Sequence, residues 1–267
     1  MSLDPVPENP EALLLAACGF YEALTLEAKG SCAGGQETAP NLGGNLFYVG
    51  ELDDDGRAMV IAGNVAGCAT LAATDDAAAQ KRAVRDGVVD FLVSTLDEAL
   101  RILKNEIRKR AAVAVCVGAA KAMVSREMLE RGVLPDLMAM TDERRELPGF
   151  GPGARGIEMG TPDGSRAFIG WQVMRTPARW MAKLDAMAFE CLESDAWARR
   201  WVQLSPRYCG RALLAQRGLY CSPEAAAQVQ GKFAAAVESG EVEAEVFVRL
   251  HMDGAIQQSR LSPAATA

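Results

Sequence analysis

VVDFLV (88–93), STLDEALRILKNEIRKR (94–110), AAVAVCVG (111–118), AAKAMVSREMLERG (119–132) and LPDLMAMT (134–141) follow one another with hardly a residue between them. The first, third and fifth are short apolar runs, which read as strands. The second and fourth space their apolar residues three and four apart, as helices do. DDAAAQKRAVRDG (75–87), just upstream, reads as one more helix. Regular alternation of this kind predicts a parallel sheet with crossover helices. Open parallel sheets take ligands outside the carboxyl ends of their strands. The stretch therefore predicts where a site lies before it says what the site does.

Working outward, Asn9 to Lys29 is predicted as a helix, with Asn9 as N-cap, Pro10 at its first position and Gly30 past its end. Leu13, Leu14, Ala17, Tyr21, Leu24 and Ala28 form its apolar stripe. Residues 31–44 are a glycine-rich loop. NLFYVGEL (45–52) and RAMVIAG (57–63) read as strands on either side of Asp53–Asp54–Asp55–Gly56, a hairpin signal. The acidic triplet is a solvated turn in this reading, because three adjacent carboxylates cannot all converge on one ion. GCATLAAT (67–74) is a further strand.

Downstream, 140–156 is a loop, and RGIEMG (155–160) and SRAFIGWQVM (165–174) flank a second hairpin signal at Pro162–Asp163–Gly164. From Pro177 the character turns helical, through PARWMAKLDAMAFECL, DAWARRWVQL and PRYCGRALLAQ, with another helix from Ser222 to Glu238. EVEAEVFVRLHM (241–252) alternates apolar and charged residues as a half-buried strand does. The tail beyond Gln258 reads as disordered. The predicted architecture is α/β: a mostly parallel sheet with hairpin additions and a helical C-terminal part. Its divisions fall at 1–56, 57–160, 161–258 and a tail at 259–267.

The chain has 267 residues, 49% of them hydrophobic and 24% charged, with a net charge of −7. That balance suits a globular domain and argues against a general nucleic-acid or anionic-membrane binder. No apolar stretch reaches the roughly 18 residues of a membrane span. The acidic, proline-bearing N-terminus has the wrong charge for a signal peptide, so a cytoplasmic protein is expected. Seven cysteines at irregular spacing include no CxxC, which fits free thiols in a reducing compartment. His251 is the only histidine. A multi-histidine metal site is thereby excluded, and surface placement is its simplest reading.

If the sheet is parallel, its strand tips fall at Gly63–Asn64, Thr74–Asp75–Asp76, Ser94–Thr95, Gly118–Ala119 and Thr141–Asp142–Glu143. AGNVAGCA (62–69) is not a GxGxxG, and the stretch to the next strand is too short for a full helix. A dinucleotide fold needs that helix, because its first amides hold the pyrophosphate. Thr74 or Asp75 reads most simply as a helix cap. Ser94 and Thr95 do too, with Asp97 and Glu98 completing a capping box. Arg199, Arg200, Arg207, Arg211 and Arg217 decorate helix surfaces or collect an anion.

LEAKG (26–30), GQETA (35–39) and NLFYVG (45–50), then KRAVRDGVVD (81–90), LDEALRIL (96–103) and RGVLPDL (131–137), resemble blocks of the NAD-binding core of urocanase, in the same order. Each block is weak alone; their order over roughly residues 20–145 is the specific part. The resemblance implies a Rossmann-like fold. It also implies that Gln36 matches the family's NAD-contacting glutamine, with Thr38 in the same motif. Other positions depart from the family. Its GxGGMGG turn is matched to GNVAG (63–67), its ribose-binding acid and arginine to Ala73 and Ala78, and its GNAA asparagine to Ala119. MTDERR (140–145) replaces its QTSAH-type loop, and no cysteine here can be carried onto its active-site cysteine.

The expected function is therefore a urocanase-like protein without urocanate hydratase activity, keeping a small-molecule or nucleotide pocket at the strand tips. Gln36, Thr38, Gly63, Asn64, Asp75, Gly118, Thr141 and Asp142 are its candidate residues. NAD is disfavoured, no metal is expected, and no catalytic residue is assigned. The alternatives are an NAD-using hydratase or lyase, and a non-catalytic homodimer joined through the helices that carry Trp180, Trp197 and Trp201. A small-molecule ligand and a homo-oligomer are the expected partners.

Overall fold

A computed structural model describes residues 10–31, 41–140, 154–157, 165–210, 213–252 and 254–263. Among the described residues, no helix is long and apolar enough to cross a membrane. The α/β expectation holds. Six strands, β1 (Leu46–Glu51), β2 (Ala69–Ala73), β3 (Phe91–Val93), β4 (Val113–Val117), β5 (Leu137–Ala139) and β6 (Arg155–Ile157), form one sheet in the order β3-β4-β2-β1-β5-β6. Every pairing in it is parallel. The helices are α1 (Pro10–Ser31), α2 (Asp54–Ala66), α3 (Ala77–Asp86), α4 (Leu96–Lys109) and α5 (Lys121–Glu130).

Alternate residues of each strand enter different cores. Tyr48, Leu71, Val115 and Val117 pack with Leu96, Leu100 and Leu103 of α4 and with Val124 and Met128 of α5. Phe47, Val49, Ala72 and Cys116 face the other way, into a larger core shared with α1 and α2. The predicted stripe of α1, from Leu13 to Ala28, is buried throughout. Asn9 lies outside the described residues. At the sheet's edge, Phe91 and Leu92 of the three-residue β3 are half-exposed.

Residues 57–63 correct the first hairpin expectation. They belong to α2, which Asp53 caps through its Oδ1, accepting from the Gly56 amide at 2.8 Å. Eleven of the thirteen residues of α2 are buried, from Gly56 to Ala66. An apolar run buried on every side lacks the polar face that marks a helix, and a short one cannot be told from a strand by period. The expected absence of a helix between the first two strands is overturned with it. β1–α2–β2 is a complete crossover unit.

Two glycines make the turn possible. Gly50 has φ +82°, where β1 shifts its register against β2. At Gly56 a Cβ would stand 2.0 Å from the Glu51 carbonyl oxygen, so only glycine lets α2 start this close to its strand.

The C-terminal half is not purely helical. β7 (Ala167–Val173), β8 (Gln216–Cys221), β9 (Val246–Met252) and β10 (Ala255–Leu261) form an antiparallel sheet in the order β10-β9-β7-β8. With it go α6 (Pro177–Glu190), α7 (Ala196–Tyr208) and α8 (Pro223–Glu238). Three expectations are corrected. Gln216, expected in a helix, begins β8. The second hairpin does not form: β6 pairs parallel with β5, while β7 pairs with β8 and β9; Pro162–Gly164 lies outside the described residues. And β10 runs on to Leu261, three residues into the stretch expected to be disordered.

The tryptophans join the two halves. Trp201 is buried, donates its Nε1 to the Gly218 carbonyl at 2.7 Å and stacks on Tyr21 of α1 at 4.9 Å. Tyr21 donates its hydroxyl to the Trp197 carbonyl at 2.9 Å. Arg166 ties Glu22 of α1 to Asp195, the N-cap of α7. Arg200 of α7 donates its Nε to the Val65 carbonyl at 2.6 Å, closing the C-terminal end of α2. There its positive charge meets the negative pole of the helix.

Candidate functional site

β1 runs out to one side through α2 and β2, while the chain returns on its other side as β5. In an open parallel sheet the ligand crevice opens at such a reversal, beyond the carboxyl ends. Glu51, Leu52 and Asp53 stand at that end of β1. Residues 141–153, which follow β5, lie outside the described residues.

A cavity of about 430 Å³ opens beside them, between the tips of β1 and β2 and the first turns of α2 and α3. Glu51, Asp53, Asp54, Asp55, Asp76 and Arg82 line it, together with Thr74. The local sequence explains why. Each strand passes directly into a helix, and each helix begins on an aspartate that satisfies its free amides. Asp76 Oδ1 accepts from the Ala78 amide at 2.8 Å. The Thr74 hydroxyl accepts from the Asp76 amide at 3.3 Å, and its carbonyl accepts from Gln80 Nε2 at 2.9 Å.

These groups do not fit a dinucleotide. A pyrophosphate at this turn needs free amides and a positive pole. Here Asp53 already holds the Gly56 amide, and Asp54 and Asp55 place two more carboxylates in the first turn of α2. Glu51 adds a fourth on the approach. Like charges at contact range oppose a phosphate more strongly than one helix terminus attracts it. Nor do the carboxylates form a metal centre: among the described residues, no three His, Cys, Asp or Glu side chains are placed to hold an ion.

The candidate residues divide. Asp75 and Gly118 stand at the carboxyl ends of the neighbouring strands β2 and β4, which are tied by Thr74 N–H to the Val117 carbonyl at 3.1 Å. Neither lines the cavity. Gly63 and Asn64 lie at the opposite end of the sheet, near the close of α2. Asn64 Nδ2 reaches the Val88 carbonyl at 3.5 Å, ahead of β3. A Cβ at Gly63 would sit 2.8 Å from the Phe47 ring and 2.9 Å from the Thr70 hydroxyl. Close packing of helix on strand explains that glycine without a ligand. Gly67 is the left-handed cap of α2, at φ +99°. GNVAG is therefore a helix end; the first strand-to-helix turn is Glu51–Gly56. Gln36, Thr38, Thr141 and Asp142 lie outside the described residues.

Sequence reasoning named Asp76 only as a strand-tip position and missed Glu51, Asp53, Asp54, Asp55 and Arg82 as site residues. The signal was present: an aspartate cap, two acids in a first turn and a glycine at residue 67 bound a helix.

A second cavity, about 360 Å³, lies between the start of α1 and the open face of the C-terminal sheet. Phe168, Gly170, Phe247, Arg249 and Gln258 border it, and Glu11 of α1 pairs with Arg249 across it. His251 is half-buried nearby, against Phe168 at 5.3 Å. Burial and then Arg249 hold its pKa below the usual imidazole value. Among the described residues, the thiols show no sign of activation. Burial pushes Cys68, Cys116, Cys209 and Cys221 up to about 12, far from a thiolate at neutral pH.

A family model described as the urocanase Rossmann-like domain matches residues 24–158. The matched span runs from the later turns of α1 to the end of β6, so it takes in all six strands of the parallel sheet.

Proposed function

The chain belongs to the urocanase family by its Rossmann-like domain, and on that footing we propose that it is not a urocanate hydratase. In this reading it has kept the family's core as a scaffold, with a strand-tip cleft remade for a small cationic or amine-bearing ligand. One observation carries the reading. Glu51, Asp53, Asp54 and Asp55 occupy the turn where this fold would hold a pyrophosphate. A ligand with positive charge gains from that field; a dinucleotide does not.

The rival reading, an NAD-using hydratase or lyase, rests on family membership alone. Both are tested on the purified protein. Excess absorbance at 260 nm that releases NAD on denaturation would sink the proposal. So would a melting shift given by NAD and by no diamine or amino sugar in the same panel. The expected result is no bound nucleotide and a rise in Tm with cationic ligands. That rise should vanish in Asp54→Asn/Asp55→Asn, whose cap residue Asp53 remains in place.

A further inference from the structure

Among the described residues the two sheets have four edges, and three are short or covered. β3 and β6 are three residues each. β8 lies under α1 and α7, and its carbonyls are taken: Gly218 by Trp201 Nε1 and Cys18 Sγ, Tyr220 by Arg166 Nη2. β10 is different. It runs seven residues, AIQQSRL, pairs with β9 residue for residue without a bulge, and contains no proline or lysine. Such an edge is a template for another strand unless it is shortened, charged, bulged or covered.

Only two residues separate Met252 from Ala255, so these two close the hairpin as a hydrogen-bonded pair. Alternation then turns the backbone groups of Gln257, Ser259 and Leu261 toward β9. Those of Ile256, Gln258 and Arg260 turn outward. No side chain of the described residues bonds to these outward groups. Ile256 is 64% exposed beside them.

We propose that β10 is the contact of a two-fold dimer, in which the β10 of a second copy of this chain adds antiparallel to this one. The proposal is independent of the strand-tip reading. The strand is complementary to itself over its whole length about Gln258. Ile256 faces Arg260 of the second copy, Gln258 faces Gln258, Ala255 faces Leu261, and Gln257 faces Ser259. Outward groups meet outward groups, and the one charged residue of the strand meets isoleucine, not its own copy. Arg260 stays paired with Glu245 of its own chain. α8 lies over the same edge through Gln230 Nε2 to Ser259 Oγ at 3.0 Å. Ala227 and Ala234 flank Gln230 at helical spacing, and a Cβ at Gly231 would meet nothing within 4 Å. Small residues there lower the steric barrier between two α8 helices across the two-fold axis.

Light scattering and sedimentation of the full chain test this. The wild type is expected at twice its 28.4 kDa monomer mass. Gln258→Pro removes an outward amide that β9 does not use, a position where an edge strand tolerates proline; it should run as a monomer with an unchanged circular dichroism spectrum. Ile256→Lys sets a cation against Arg260 of the second copy at both ends. It should weaken the dimer about tenfold or more, whereas Ile256→Glu should keep or tighten it. If Gln258→Pro fails to fold, this ordering by charge decides. A monomeric wild type, a dimer that persists in folded Gln258→Pro, or equal dissociation of the Lys and Glu variants would overturn the proposal.

Discussion

α2 and α4 follow strands of the same sheet, and each begins on a side-chain cap, yet they are built on different terms. α4 lays Leu96, Ala99, Leu100 and Leu103 on the sheet and leaves its outer face to water. Thr95 accepts from the Glu98 amide, and the Glu98 carboxylate accepts from the Ser94 amide, a capping box displaced by one residue. α2 has almost no outer face, because α1 and α7 cover what the sheet does not. Its polar needs are met from a distance: Arg57 by Asp86 at 2.8 Å, the Val65 carbonyl by Arg200. A helix that meets its own needs locally is insensitive to the rest of the chain. α2 is fully covered only in the company of the C-terminal half.

The contrast breaks first at Arg57. This guanidinium is 1% exposed, and burial pushes its pKa down while Asp86 opposes that shift. Arg57→Met leaves the Asp86 carboxylate with only the mostly exposed Arg85, at 3.3 Å, and should cost about 3 kcal/mol in denaturant unfolding. Arg57→Met/Asp86→Leu should recover most of it. If the single variant costs no more than a surface change, α2 is not held as described.

Next comes Asp185, in the half that covers α2. Burial raises its carboxyl to about 6, with Arg217 and Trp171 Nε1 opposing. An acid whose folded pKa lies above its unfolded value stabilises the fold when protonated. Its contribution is therefore full at low pH and is lost as pH rises from about 4 to about 6. The pH profile of unfolding free energy should be flatter in Asp185→Asn across that window, and parallel profiles would refute the shift. Arg200→Ala should cost about 1–2 kcal/mol by uncapping α2 from outside. Thr95→Ala should cost about 1 kcal/mol, confined to α4 and visible as faster amide exchange in its first turn.

The same contrast explains what could be read in advance. From α3 to β5 every element matches a run in the sequence, since each helix there has a wet side and each strand is a short apolar run, even β3 with Phe91 and Leu92 half-exposed at the edge. α2 was illegible as a helix because RAMVIAGNVA is apolar all round, and period carries no information when both faces are dry. The cleft was lost with it: Asp53, Asp54 and Asp55 look like a solvated turn until Gly56 is seen to open a helix. Asp75 and Gly118 were placed at the correct end of the sheet from strand pattern alone. Gly63 and Asn64 were misplaced by one missing helix. β10 escaped because AIQQSRL has little to bury; pairing with β9, not burial, orders it.

The hydrogen bond from Arg200 to Val65 spans 135 positions of sequence, and this sets a timetable for synthesis. The parallel sheet is complete once β6 is made, but the cover for α2 is some forty residues further on, a wait of about 2–8 s at common elongation rates. Through that interval the nascent chain presents α2 without the cover of α7 and with the Val65 carbonyl uncapped. A message cut after residue 160 should yield aggregate where the whole message yields soluble protein. α2 gains its last cover late in translation, when α7 arrives.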